Sequence, residues 1–107
     1  MKKIEILISM NLCILLVIIG TIFNFAAIIV NDGKMPIKVS EGNIIDSDNH
    51  FSFVEESEVS LSEYSDIYKI SFKDNSFYFS RGDIFLYSGG VLFFVFMIQF
   101  LFKKDEN

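Results

Sequence analysis

A single cysteine, Cys13, excludes an internal disulfide and any metal site of clustered thiols. It lies inside a long apolar run, where it reads as a small buried side chain. His50 is the only histidine, and the spacing of the serines and acids around it fixes no Ser-His-Asp geometry. There is no Gly-rich phosphate loop, no metalloprotease motif and no cysteine pair. Asp46-Ser47-Asp48-Asn49 looks like the start of a calcium loop. Its sixth and twelfth positions, however, hold Phe51 and Ser57 where Gly and Glu are required. Arg81-Gly82-Asp83 reads as a helix entry. Repeats and low-complexity stretches are absent. No enzyme is expected, and no catalytic, cofactor-binding or metal-ligating residue.

Basic surface is scarce too. The net charge is −5, and residues 31–83 carry 11 acids against 5 bases. That balance argues against nucleic acid as a partner. It also argues against docking on anionic lipid headgroups.

Two uncharged runs dominate what is present. Ile6 to Val30 is 25 residues long and Ile84 to Phe102 is 19. At about 1.5 Å per residue the first crosses a bilayer core of about 30 Å. The expected fold is an α-helical membrane protein: two antiparallel transmembrane helices with a small mixed α+β extracytoplasmic loop domain. The divisions are a cytoplasmic tail 1–5, helix 6–30, loop domain 31–83, helix 84–102 and cytoplasmic tail 103–107. The first run exceeds the about 7–15 residues of a signal-peptide core. Ala26-Ala27 followed by Ile28 is also a poor cleavage site, so a retained anchor is expected. Lys2, Lys3, Lys103 and Lys104 flank the runs on short tails, which places both termini inside and the loop outside.

Helical spacing brings Ser9, Cys13, Gly20, Asn24 and Ala27 onto one stripe of the first run. Ser88, Leu92, Val95 and Gln99 share a side of the second, with Gly89 beside it. Small residues allow close backbone approach in lipid, and amides bond across the gap. The expected helix-pairing residues are therefore Ser9, Gly20, Asn24, Ala27, Ser88, Gly89 and Gln99. Asn24 and Ala27 should meet Ser88 and Gly89, and Ser9 should meet Gln99. Asn11 falls on the opposite side.

The 53-residue loop is marginal for a core of its own, so its Phe and Tyr residues are expected on helix ends or the lipid interface. Gly33 permits the turn out of the first helix, and Pro36 stops its continuation. Ile37 to Val39 reads as extended, and Glu41 to Asn49 as an exposed turn. Ser60-x-x-Glu63 has capping-box spacing for a short helix through Asp66. Alternation over Ile67 to Ser80 around Asp74-Asn75 predicts a β-hairpin with Phe77 and Phe79 on a buried face. Asp83 suits the cap of the second helix.

Asn31-Asp32-Gly33-Lys34-Met35-Pro36, then His50, Asp66-Ile67 and Ser80-x-Gly82-Asp83-Ile84-x-Leu86 with Gly89 beyond, form an ordered pattern over residues 25–92. In it the chain resembles a family of small bacterial integral membrane proteins filed as a domain of unknown function. Members often carry Gly at the place of Ser65 and more than two spans. The resemblance implies a bacterial membrane protein and supplies no activity. The expected function is an accessory or interaction subunit of the bacterial plasma membrane presenting an acidic loop. The alternative is a holin-like or transport-associated oligomer. The expected partners are the lipid bilayer and a membrane protein or a second copy.

Overall fold

Two long helices lie side by side in this computed structural model, which describes residues 1–40 and 45–104. α1 is Lys3–Val30 and α2 is Arg81–Phe102. Both start ahead of the uncharged runs because their first turns are capped. The Lys2 N–H donates to the Glu5 carboxylate at 3.3 Å. At α2 the Asp83 N–H donates to the Ser80 hydroxyl, and the Ser80 N–H to the Asp83 carboxylate, each at 3.1 Å. Ser80 is therefore the cap and Asp83 the third helical residue, a correction to the expected position of Asp83. α1 ends where Asp32 and Gly33 turn left-handed (φ 60° and 82°) and the Gly33 N–H returns to the Ile28 carbonyl at 2.9 Å. Its 28 residues account for about 42 Å of a molecule 62 Å long.

The helices run antiparallel. The Lys3 ammonium lies 5.0 Å from the centre of the Phe100 ring at one end, and Asn24 bonds Asp83 at the other. Ile6, Cys13, Gly20 and Ala27 are buried on α1, seven residues apart. Gly82 and Gly89 are buried on α2 at the same spacing, with Leu86, Phe93, Phe96 and Phe100 half-buried along the same seam. A seven-residue repeat keeps one face of a helix against its neighbour. A Cβ at Gly20 would meet the Gly82 carbonyl and, at 2.7 Å, the Leu86 nitrogen. One at Gly89 would meet the Cys13 carbonyl at 2.7 Å. The backbones touch there, which only glycine permits.

Ser88, Leu92, Val95 and Gln99 are exposed. The polar atoms of α2 suggested the wrong face, because its pairing is made by glycine and phenylalanine. The register also differs: Gly89 lies on Cys13, Leu16 and Val17, and not beside Ala27. The last turn of α1 is covered by the loop domain instead of by α2, so depth counted from Val30 is offset.

In the loop domain, β1 (Met35–Lys38) pairs in parallel with β2 (His50–Phe53), Met35 opposite His50 and Lys38 opposite Phe53. On the other side of β1, the Asp66 N–H donates to the Pro36 carbonyl and the Lys38 N–H to the Asp66 carbonyl, both at 2.9 Å. Met35, Ile37, Val39 and Phe53 form a small core over the end of α1. Two single-turn 3-10 helices, Glu56–Glu58 and Ser62–Tyr64, replace the short α-helix expected after Ser60. Ser60 does not cap. Its N–H and carbonyl bond the Asn31 side chain at 3.1 and 2.8 Å, and the same Asn31 amide donates to the Ala27 carbonyl at 2.7 Å. Tyr64 stacks on Phe23 at 4.7 Å, and Phe23 meets Phe85 edge-on at 5.7 Å. Lys34–Asp46 at 3.0 Å and Lys38–Glu56 at 3.1 Å are exposed pairs, each contributing at most about 1 kcal/mol. β3 (Tyr68–Phe72) and β4 (Asn75–Phe79) form the expected hairpin. Phe77 is exposed, contrary to the buried face expected for it, because none of the described residues covers that face. The first part of the expected exposed turn, residues 41–44, lies outside the described residues, as do residues 105–107 of the C-terminal tail.

Candidate functional site

A pocket of about 390 Å³ opens where the loop domain meets the helices, with Asn24, Asn49, His50, Asp66 and Asp83 among its walls. The side chains arrive from four segments, with Asn49 and His50 adjacent in one of them. The backbone of Asp66 is bonded on both sides of Pro36 and Lys38, so its side chain has little freedom. β2 starts at His50 and sets its imidazole Nε2 3.6 Å from the Asp66 Oδ2. Asn24, a turn and a half before the end of α1, donates to the Asp83 Oδ1 at 2.9 Å and accepts from the Ser80 hydroxyl at 2.6 Å.

The Asp66 side chain is 7% exposed. Among the described residues it has His50 alone within ion-pair distance and no hydrogen-bond donor closer. Burial, reinforced by the Asp83 carboxylate, pushes its pKa from 3.8 to about 7. The site can therefore hold or release a proton near neutrality at Asp66. Among the described residues no group of three or more His, Cys, Asp or Glu is placed to hold a metal ion.

The sign of the linkage follows from that pKa. The folded chain keeps a proton on Asp66 that the unfolded chain releases near pH 4. The contribution to stability is full below about pH 4 and is lost as pH rises through about 7. Unfolding midpoints measured at pH 5 and pH 8 are expected to fall with pH in the natural chain. They are expected to stay level in Asp66→Asn, which becomes the more stable of the two above pH 7. A natural chain whose midpoint does not fall between pH 5 and pH 8 would show that burial does not hold a proton on Asp66.

Of the residues expected to pair the helices, Gly20 and Asn24 meet around Gly82, and Gly89 meets Cys13. Ala27 is buried. The Ser9 hydroxyl donates to its own helix at the Glu5 carbonyl, 3.0 Å away. Ser88 and Gln99 stand off the seam. Sequence reasoning set His50 aside and missed its pairing with Asp66. The signal was nonetheless present, since His50, Asp66 and Asp83 all fall within the pattern that carried the family resemblance.

Neither a curated protein nor a solved structure matches the chain. A family model does match it, over residues 6–96. That span takes in most of both helices, the whole loop domain and every wall of the pocket. The chain belongs to DUF5317, a family of unknown function.

Proposed function

We propose that the chain is a two-span protein of the bacterial plasma membrane, with both termini cytoplasmic. Its loop domain acts outside as the binding part of an accessory or interaction subunit. The observation that carries this reading is a division of labour in one molecule. α1 and α2 are long and apolar enough to cross a membrane and bury little of themselves. All the polar architecture is gathered at one end, around the pocket of His50, Asp66 and Asp83. The seam of the helix pair is closed by backbone contact at Gly20, Gly82 and Gly89. Asn11, the amide on the outer side of α1, donates to the Leu7 carbonyl of its own helix at 3.0 Å. It therefore lends no support to a pore-forming oligomer.

The test uses two labels on the full chain in intact cells. In Cys13→Ala, a cysteine in place of Ser47 is expected to react with an impermeant thiol reagent without permeabilisation. A photoreactive amino acid replacing Asn49 at the pocket rim is expected to give a discrete crosslinked protein, reduced by Asp66→Ala. Labelling only after permeabilisation would reverse the orientation. Crosslinks to lipid alone would remove the interaction reading.

A further inference from the structure

The charge of the loop is segregated along the chain. Residues 45–66 hold 7 acids and no Lys or Arg, whereas residues 67–82 hold Lys69, Lys73 and Arg81 against Asp74 alone. That second segment is the β3–β4 hairpin together with the start of α2, which holds Arg81. Its register sets Tyr68 opposite Phe79 and Ile70 opposite Phe77, so Tyr68, Ile70, Phe72, Phe77 and Phe79 share one face. Lys69 pairs with Tyr78 and Ser71 with Ser76 on the other. The hairpin is amphipathic, and its apolar face is uncovered: Ile70, Phe72 and Phe77 are 56, 65 and 60% exposed.

The hairpin also leans along α2. Ile70 and Phe77 to Phe79, with the half-buried Tyr78 among them, line a groove of about 530 Å³ whose far wall is Ile84, Tyr87 and Ser88. Tyr87 and Ser88 continue into a second groove with Val91 and Leu92. The apolar face of the hairpin is thus continuous with the exposed face of α2. Tyr87 lies four residues beyond Asp83, about 6 Å down the helix. Interfacial elements bury their apolar faces about 5–10 Å into the boundary between headgroups and acyl chains.

We propose that β3–β4 is an interfacial anchor, resting on the membrane reading above. Ile70, Phe72 and Phe77 lie in the headgroup–acyl boundary of the bilayer that holds α2, and Lys69, Lys73 and Arg81 reach lipid phosphates. A lipid occupant is favoured by the continuity with α2 and by the basic fringe. Lysine and arginine stems can lie along apolar surface while their heads reach the phosphates. The anchor fixes the height of the loop domain, and with it the pocket, above the bilayer.

The chain has no tryptophan, so each substituted one is the sole reporter. Full-length Phe77→Trp, Phe72→Trp, Ser71→Trp and Val91→Trp are reconstituted in phosphatidylcholine–phosphatidylglycerol vesicles with and without brominated acyl chains. Blue-shifted emission, at least halved by bromolipid, is expected for Phe77→Trp, Phe72→Trp and Val91→Trp. Ser71→Trp, on the exposed polar face, should stay red-shifted and little quenched. Quenching of Val91→Trp without Phe77→Trp and Phe72→Trp would overturn the anchor and leave the membrane reading standing. No quenching of any variant would overturn both. Blue-shifted but unquenched Phe77→Trp would mean that a second copy or another protein covers the face, which also overturns a lipid occupant. Equal quenching of Ser71→Trp and Phe77→Trp would contradict the proposed orientation.

Discussion

Leucine in place of Gly89 separates the two helices, whereas leucine in place of the adjacent Gly90 leaves them paired. A Cβ at Gly89 would meet the Cys13 carbonyl at 2.7 Å and the side chains of Leu16 and Val17 at 3.0 Å, while one at Gly90 meets nothing within 4 Å. Overpacking a well-packed contact costs about 1–3 kcal/mol. Here the obstacle includes main chain, which cannot rotate aside, so the loss should lie at the upper end of that range. Unfolding of the reconstituted protein by sodium dodecyl sulfate is the measurement, with Gly90→Leu within about 0.5 kcal/mol of the natural chain, as for surface substitutions. Equal losses for both variants would mean that the seam does not run through Gly89.

Asn24→Leu has the second large effect. Asn24 is the one α1 side chain that both donates to Asp83 and accepts from Ser80. Ser80 is fully buried. Removing the amide leaves the hydroxyl and one carboxylate oxygen without their partner on α1. A hydrogen bond to a charged group contributes about 1.5–3 kcal/mol, and stranding its partner adds a desolvation cost. Interhelical bonds in membranes average only about 0.6 kcal/mol. Asn24 differs because it faces a carboxylate at the end of a helix. Asp83→Asn tests the pair: in that background Asn24→Leu should lose at least about 1 kcal/mol less, since contacting partners couple. Additive losses would show that the two side chains act independently.

The helices, the hairpin and the exit at Gly33 were legible because each rests on local chemistry: uncharged length, alternation, and a glycine free to turn left-handed. Gly20, Asn24 and Gly89 were legible as small or amide-bearing residues on helical faces. The face of α2 was not, since a helix of Phe, Val, Ile and Leu has weak periodicity and Ser88 and Gln99 were taken as its markers. β2 escaped because Phe51 and Phe53 alternate over only four residues. Its parallel pairing with β1 depends on hydrogen bonds that local pattern does not encode. The pocket escaped for the same reason. Asp66 becomes a buried acid only when β1 closes on both sides of it, and His50 faces it only when β2 forms.

The clasp of Asn31 on Ser60 has a consequence for chain entropy. Between Asn31 and Ser80 the sequence runs 80 − 31 = 49 positions, and between Ser60 and Ser80 it runs 80 − 60 = 20. Once Asn31 holds Ser60 against the end of α1, α2 hangs from the shorter tether. Closure entropy grows with the logarithm of loop length, at about 0.6 kcal/mol per doubling. The clasp thus lowers the entropic cost of bringing Asp83 to Asn24 by about 0.8 kcal/mol.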